Sequence, residues 1–297
     1  MLTVALVAGF AANALWQQWR AVEVETAERS RVQAGWLLTG ALDWARATLR
    51  QDAQAGPVDH LAEPWAAAPR EAGLADFFAA GRKNQPVGAF EGMFLTVRIE
   101  DMQARLNVTN LVEAGKVSAP DLRVFSRLFE LLGLPQSELL ALAENLRLTA
   151  ELEAGRGAGA TSLPPQKLEQ LAWLGLSPPS IQRLRPFVAL LPVRTAVNLN
   201  TAGAEVLHAS IAGLGIAQAK GLVLERTTSH FRSLDDAGRL LGAAATGVTE
   251  SGHAVASRFF EVQTRLRTGD LVLEERSLLQ RNETGIRAVA RSRQQGY

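Results

Sequence analysis

The sequence predicts an α+β protein in which a long N-terminal helix packs on an antiparallel sheet and a large all-helical domain is inserted in that sheet. Three observations lead to this fold class: an apolar run without proline opens the chain, a strand pattern near residues 93–108 precedes a long helical stretch, and alternating patterns close the chain. We divide the chain into a stalk helix at 1–52, a head made of 53–109 and 253–297, and an inserted helical domain at 110–252.

The composition is that of an ordinary globular protein with balanced charge. Of 297 residues, 47% are hydrophobic and 21% are charged, and 31 Lys and Arg side chains stand against 30 Asp and Glu, for a net charge of +1. This balance provides no general attraction to phosphates or acidic membranes. The chain contains no Cys, which excludes disulfides, thiol catalysis and cysteine zinc sites.

The first segment, MLTVALVAGFAANALWQQW, carries no charged side chain before Arg20. We expect it to form a marginal membrane span. The side chains that would meet lipid or neighbouring helices are Leu2, Val4, Leu6, Val7, Phe10, Leu15 and Trp16. A secretory signal cleaved near Asn13 and a buried core helix stay open as alternatives. Because the basic segment typical of such signals is missing, we expect the natural chain to begin upstream of Met1.

The helical pattern continues beyond the apolar run to about Asp52. This stretch contains no Pro and is rich in Ala, Leu, Glu and Arg. Its last third is amphipathic. We expect the face that packs on the head to consist of Trp36, Leu37, Gly40, Ala41 and Trp44.

The head is expected to contain strands at both ends of the inserted domain. Residues 53–89 are rich in Pro and Gly and predict a loop, whereas MFLTVRIEDMQARLNV predicts strands joined by a hairpin turn at Asp101 to Ala104. After residue 258, apolar and polar side chains alternate, with turns predicted at 268–270 and 282–285. This pattern predicts an antiparallel meander with one face free to cover the stalk helix.

The stretch between Asn110 and Gly252 is predicted to be helical throughout. Capping residues from Ser118 to Asp121 begin a helix that Gly133 ends. Further helices are predicted over 136–152, 165–174, 178–191 and within 197–240.

Residues 197–240 resemble a DNA-binding helix-hairpin-helix, in which backbone N–H groups at a glycine turn hold a phosphate. The residues of this motif are Asn198, Asn200, Thr201, Gly213, Gly215 and Lys220. Residues 196–240 contain four basic and four acidic side chains, which is a poor basis for binding DNA. We therefore expect a packing unit and no nucleic acid, and keep a membrane-tethered DNA-binding protein as the alternative function.

No enzyme motif is evident. The four histidines are scattered, and neither a Gly-x-Ser-x-Gly elbow nor a phosphate-binding glycine loop ending in Lys-Ser/Thr occurs. We predict no catalytic residues and no enzymatic activity. A hydrolase remains a third hypothesis, which would need a constellation assembled from distant residues.

Several motifs, taken in order, carry a resemblance to a known family: DWARATL, VRIEDMQARLNVTNLV, FSRLFELLGL, VNLNTAGAEVL, GLVLERTTSHFRSLDD and SRFFEVQTRLR. Over nearly its whole length the chain resembles the K-type minor pseudopilins of the type II secretion system (general secretion pathway protein K). The resemblance implies a pseudopilin fold and a non-enzymatic subunit that caps the pseudopilus tip and initiates its assembly for protein export across the outer membrane.

The resemblance also implies partners and a location. The partners would be the I-type and J-type minor pseudopilins, the major pseudopilin and the inner-membrane secretion platform. A single transmembrane helix would hold the protein in the bacterial inner membrane, with its head in the periplasm.

The sequence departs from the resemblance in its calcium ligands. Relatives carry an Asp-rich run after the second helix of the insertion, whereas the matching stretch here has only Glu144, Glu151 and Glu153. Calcium requires six to eight closely grouped oxygen ligands. We therefore expect the calcium site to be lost or much weakened, and predict no cofactor and no metal ligands.

Overall fold

The computed structural model of the protein describes residues 2–69, 71–74, 92–153, 164–269 and 271–296. A long helix lies on one face of a five-stranded antiparallel sheet, and shorter helices follow between two of its strands. The predicted α+β class is confirmed. Parts of the two predicted loops, after residues 53 and 153, lie outside the described residues.

Within this part of the chain, the helices are α1 (Leu2–Ala55), α2 (Ala119–Leu131), α3 (Gln136–Glu153), α4 (Pro178–Leu184), α5 (Ala204–Ser210), α6 (Ile216–Thr228) and α7 (Leu234–Leu241). The strands are β1 (Ala72–Gly73), β2 (Met93–Asp101), β3 (Leu106–Asn107), β4 (Val112–Glu113), β5 (Lys116–Val117), β6 (Val188–Ala189), β7 (Val197–Asn198), β8 (His253–Ala254), β9 (Phe259–Thr268), β10 (Leu271–Asn282) and β11 (Gly285–Gly296). Short 3₁₀ turns cover Pro64–Ala66, Met102–Ala104, Val108–Leu111, Leu168–Leu174 and Gly242–Gly247.

Helix α1 projects from the head over its N-terminal part and packs on the sheet over the rest. Every side chain described between Leu2 and Gln33 is exposed. Beyond them a buried stripe follows the three-and-four spacing of a helix face. It consists of Ala34, Leu38, Ala41, Leu42, Ala45 and Leu49.

The predicted packing face of α1 was wrong in its two tryptophans, whereas Leu37 packs partly buried against the core. Ala41 is buried, but Trp36 is 73% exposed and Trp44 is 44% exposed. The buried stripe is half alanine, which lets the helix axis approach the sheet closely. Two indole rings would hold the helix further from the sheet, so the helix presents its small side chains to the strands.

The sheet has the order β1-β2-β9-β10-β11, and all its pairs are antiparallel. The predicted meander and its turn at 282–285 are confirmed. Strands β9 and β10 pair on either side of the turn predicted at 268–270, of which residue 270 lies outside the described residues. On β9 the side chains of Phe260, Val262, Thr264 and Leu266 are all buried, and the apolar ones join the core clusters under α1. The period of two in the sequence therefore marked the face that covers the stalk.

The predicted hairpin at Asp101 to Ala104 was wrong. The Asp101 carboxylate accepts a hydrogen bond from the Gln103 N–H at 2.8 Å, and the chain turns there through a short 3₁₀ segment. Strand β3 does not return along β2 but pairs in parallel with β6. The turn therefore leads the chain out of the sheet and into the inserted residues.

The stretch predicted as all-helical contains short strands as well as helices. Strands β4 and β5 form a small hairpin, and β6 lies where the predicted helix 178–191 would have continued. Pro186 lacks the N–H that a continuing helix needs, and α4 ends at Leu184. The predicted helix 165–174 is a 3₁₀ segment that begins only at Leu168.

The inserted residues have an apolar core of their own. Its large buried side chains include Phe125, Phe129, Leu207 and Phe231. Strands β7 and β8 pair in parallel, which joins the middle of the inserted segment to the point where the chain returns to the head.

Candidate functional site

The N-terminal part of α1 presents an unusual exposed apolar surface. The residues predicted to meet lipid or neighbouring helices, Leu2, Val4, Leu6, Val7, Phe10, Leu15 and Trp16, are all more than half exposed. A surface of this kind marks an interaction site in a soluble or membrane-associated protein. No helix in the described part of the chain combines the length and the apolar character that crossing a membrane requires.

The apolar surface continues onto the outward side of α1 beside the head. Val32, Trp36, Gly40 and Trp44 follow one another at intervals of four residues and form what we call the outer ridge. Three of them are large and exposed side chains, and the space above Gly40 is open. Rows of side chains at this spacing are the ones that fit the grooves of another helix. The outer ridge is therefore a candidate surface for a partner helix.

A buried polar joint connects the inserted residues to the head. Asn198 Nδ2 lies 3.2 Å from the Asp59 carbonyl oxygen, 3.1 Å from an Asp101 carboxylate oxygen and 2.9 Å from Ser257 Oγ. The same Asp101 oxygen accepts hydrogen bonds from the hydroxyls of Thr201 at 2.5 Å and Ser257 at 2.6 Å. Burial raises the pKa of Asp101 to about 6. The joint thus ties residues that flank both ends of the insertion to the loop after α1.

Asn200 makes a second buried link inside the insertion. Its Nδ2 donates to the Phe231 carbonyl oxygen at 2.9 Å, and its Oδ1 accepts from the Phe231 N–H at 2.8 Å. Nearby, the buried Arg226 guanidinium donates to the Leu199 carbonyl oxygen at 2.6 Å, and burial lowers its pKa to about 10. The polar residues at the start of the helix-hairpin-helix-like segment therefore hold the fold together and are unavailable to a phosphate.

The glycine turn of that segment is the part that stays at the surface. Gly213 has a φ of 80°, which favours glycine. The Gly215 N–H, at the start of α6, already donates to Gln218 Oε1 at 2.9 Å. Since Arg226 is buried, Lys220 is the exposed basic side chain of α6. One lysine beside an amide that is already capped is a weak phosphate site.

An acidic group lies where α1 ends. The carboxylates of Asp52, Asp59 and Glu63 offer oxygens within 4.8 Å of one another, and they could hold a cation. The Arg281 guanidinium already supplies positive charge there, at 2.6 Å from Asp59 and 3.4 Å from Asp52. Burial, together with Glu63 and Asp59, raises the pKa of Asp52 to about 7. The sequence analysis missed this group because Arg281 lies more than two hundred residues from its partners, and no local pattern joins them.

The four histidines make contacts within the fold or are buried in it. His60 and His230 stack with ring centroids 3.8 Å apart, joining the loop after α1 to the insertion. His208 Nδ1 lies 2.6 Å from the Leu214 carbonyl oxygen. His253 is buried, and burial lowers its pKa to about 4, so it is neutral at physiological pH.

The glutamates of the stretch that matches the calcium-binding run are engaged by one arginine. Arg147 lies 2.6 Å from a Glu144 oxygen and 2.5 Å from a Glu151 oxygen, all on α3. No acidic residue occurs in the sequence from 154 to 163. The carboxylates of this stretch are therefore those of three glutamates, and the Arg147 guanidinium lies between two of them.

Comparison with known proteins gives a consistent result over the whole chain. The family descriptions "Type II secretion system (T2SS), protein K" match residues 104–193 and 197–256. The type II secretion system protein K of Pseudomonas aeruginosa is 30% identical over 323 residues, which cover 100% of this chain and 91% of that protein. These matches give no support to a DNA-binding protein.

The fold also resembles a solved structure. The crystal structure of the GspK-GspI-GspJ complex from the enterotoxigenic Escherichia coli type 2 secretion system contains a chain that aligns with a TM-score of 0.67 at 19% identity. The alignment covers 91% of this chain and 98% of that chain. At this level of identity the likeness concerns the fold.

Proposed function

Because the chain belongs to the type II secretion system protein K family, we propose that it works as a minor pseudopilin at the tip of the secretion pseudopilus. There it would begin filament assembly for protein export across the outer membrane. The observation that carries this proposal is the contrast between the two ends of α1. One end is a bare apolar helix, and the other is covered by the head and the inserted residues.

The position of the insertion supports a place at the tip. Asn198, inside the insertion, contacts Asp59 only four residues after α1 ends at Ala55. In a filament whose subunits align their stalk helices, the next subunit would have to occupy the space beyond this end. On this proposal the inserted residues would obstruct that space, and the protein would have subunits below it and none above.

The apolar surface of α1 supports the proposed partners and location. The exposed start of the helix would lie in the inner membrane before assembly and among the helices of the major pseudopilin afterwards, with the head in the periplasm. The outer ridge would receive the stalk helices of the I-type and J-type minor pseudopilins, and the inner-membrane platform would take up the assembled tip. Apolar helix packing of this kind is cohesive and needs no catalytic group.

Two further parts of the proposal follow from side chains described above. The protein would need no calcium, because Arg147 already bridges Glu144 and Glu151. It would have no enzymatic activity, and the stacked and backbone-bonded histidines support this.

The proposal is tested by mixing the full chain, in detergent, with the I-type and J-type pseudopilins of the same cell and measuring mass by light scattering after size exclusion. We expect an equimolar ternary complex. If folded proteins fail to associate, the proposed role at the tip is wrong.

A matched pair of tryptophan variants locates the contact. Trp36→Arg on the outer ridge should abolish or strongly weaken the complex, because an arginine would be desolvated against an apolar helix. Trp173→Arg is the control, since Trp173 on the insertion is 67% exposed, close to the 73% of Trp36, and lies away from the ridge. Equal loss of complex in both variants would contradict the proposed surface.

A further inference from the structure

Strand β11 forms a long outer edge of the sheet. In the described part of the chain it runs from Gly285 to Gly296 and pairs with β10 on one side. The opposite edge is the two-residue strand β1. The unpaired N–H and C=O groups along a long edge can accept another strand.

A cavity of about 630 Å³ lies beside this edge. Its sheet side is formed by Leu278 on β10 and by Val289 and Ala290 on β11. The inserted residues form its other side, with Leu146, Leu190 and Leu191 among them. The pairing of β10 and β11 shifts register at Leu278/Leu279, which leaves Val289 as the extra residue of a bulge. The cavity is therefore mainly apolar and reaches the outer strand.

The cavity opens on the face of the sheet that α1 does not cover. Leu279 is fully buried in the cluster under α1. Successive side chains of a strand point to opposite faces, so Leu278 lies on the face away from α1. Ala290, which pairs with Leu278, lies on the same face.

Two arginines flank the cavity on this face. Arg276 lies two residues before Leu278 on β10, and Arg287 on β11 pairs with Gln280, two residues after Leu278. Neither forms an ion pair with any residue in the described ranges. Arg291 and Arg293 differ, because both bind Glu275. The sequence of β11 contains three arginines and no acidic residue, and two of the three share the single carboxylate of Glu275, so the edge strand has a net positive charge.

The charge argues against a second copy of the chain as the occupant. Antiparallel pairing of two β11 strands would bring arginines of one copy close to those of the other, and like charges across strands are destabilising. A strand with acidic side chains would instead lie beside Arg287 on the edge strand, and an acidic side chain that reaches over the cavity would approach Arg276 on β10.

We propose that the edge of β11 and the adjoining cavity bind an extended acidic segment of a partner protein, which adds a strand to the sheet and places one apolar side chain in the cavity. Main-chain hydrogen bonds would provide the attachment, and the cavity and the two arginines would provide the specificity. This site goes beyond the proposed role at the tip and does not depend on it.

The test uses the full chain in detergent and a fluorescein-labelled peptide, Gly-Thr-Asp-Thr-Leu-Thr-Asp-Thr-Gly, with binding followed by fluorescence anisotropy to about 1 mM protein. We expect saturable binding. Peptides with Lys in place of both Asp, or Gly in place of Leu, should bind at least about tenfold more weakly. Because no other pseudopilin is present, failure here leaves the role at the tip untouched.

Variants of the protein test the two parts of the site separately. The double variant Arg276→Glu with Arg287→Glu should weaken binding by about tenfold or more, and Ala290→Trp should block the cavity. Arg50→Glu is the charge control, because Arg50 is exposed on α1, on the other face of the sheet. An unchanged affinity in the first two variants would overturn the proposal.

If the peptide adds a strand to the sheet, the backbone N–H groups along one of its two edges must be free to donate to β11. N-methylation of alternate residues removes the N–H donors from one edge of an extended chain, and it can be applied to either edge. One methylation pattern should abolish binding and the other should preserve it. Equal effects of both patterns, no binding at all, or a dimer of the chain that Ala290→Trp dissociates would each overturn the proposal.

Discussion

Two asparagines that lie two residues apart in the sequence hold together parts of the chain that are far apart. Asn198 links the insertion to Asp59, Asp101 and Ser257. Asn200 forms hydrogen bonds with both the N–H and the C=O of Phe231. An amide side chain suits such positions because it donates and accepts at once. The sequence identified these residues as a motif, and the contacts show that the motif serves the fold.

Asn200→Ala should destabilise the protein by about 2–4 kcal/mol, because it leaves the Phe231 N–H and C=O buried without their partner. The free energy of unfolding in urea measures this loss. Asn282→Ala is the control: Asn282 is exposed, and its side chain accepts a hydrogen bond from Thr284 two residues away, so the loss should stay below about 1 kcal/mol. Equal losses would contradict the structural role of Asn200.

The long elements form where the local pattern predicts them, but which of their faces is buried depends on the elements that pack against them. The helical pattern of α1 was correct along its length, and the face was misjudged because tryptophan was taken as a core residue. Small side chains occupy the contact with the sheet, and the tryptophans form the outer ridge. In α3, likewise, acidic residues that resemble a reduced metal site are neutralised within the helix by Arg147.

The melting temperature of the full chain should be unchanged by millimolar calcium or by a chelator, because Arg147 occupies the position between the two glutamates of α3. Differential scanning calorimetry measures it. Arg147→Ala should lower the melting temperature by an amount that added salt reduces, since Glu144 and Glu151 then repel each other. Arg147→Lys, which keeps the charge, should lie closer to the wild type. A clear rise of the wild-type value with calcium would contradict the loss of the site.

At the scale of the whole molecule, the stalk, the sheet and the insertion meet at one buried polar region. Asp52 comes from the end of α1, Asp59 and Glu63 from the following loop, Asp101 from the end of β2 and Arg281 from the end of β10. Two of these carboxyls have a pKa raised by burial above the ordinary value of 3.8, Asp52 to about 7 and Asp101 to about 6.

These shifts predict that stability falls as the pH rises. Up to about pH 6 the folded protein retains protons on Asp52 and Asp101 that the unfolded chain has lost, and up to about pH 7 it retains the one on Asp52, so raising the pH favours unfolding. His253 acts in the opposite direction below pH 6.5, because it is neutral in the fold and protonated in the unfolded chain, but its shift is smaller than those of the two carboxyls together. Asp52→Asn should make the unfolding free energy depend less on pH between pH 5 and 8. The stability lost relative to the wild type should be smallest at pH 8. Asp43→Asn is the control, because Asp43 is an exposed acid on α1 paired with Arg46. A wild-type protein that becomes more stable over this range would contradict the shifts.

The sequence by itself determined what depends on neighbours along the chain. Alternation marked β9 to β11 and their turns, helical spacing marked α1 to near its end, and the ordered motifs identified the family. Only the tertiary structure decided which face of α1 is buried, that Asn198 and Asn200 are structural, that Arg281 joins an acidic group, and that β11 borders a cavity. The physical reason is that periodicity reports local backbone geometry, whereas burial, pKa and pairing depend on groups brought together from distant positions. Local sequence patterns do not show which distant groups will be in contact.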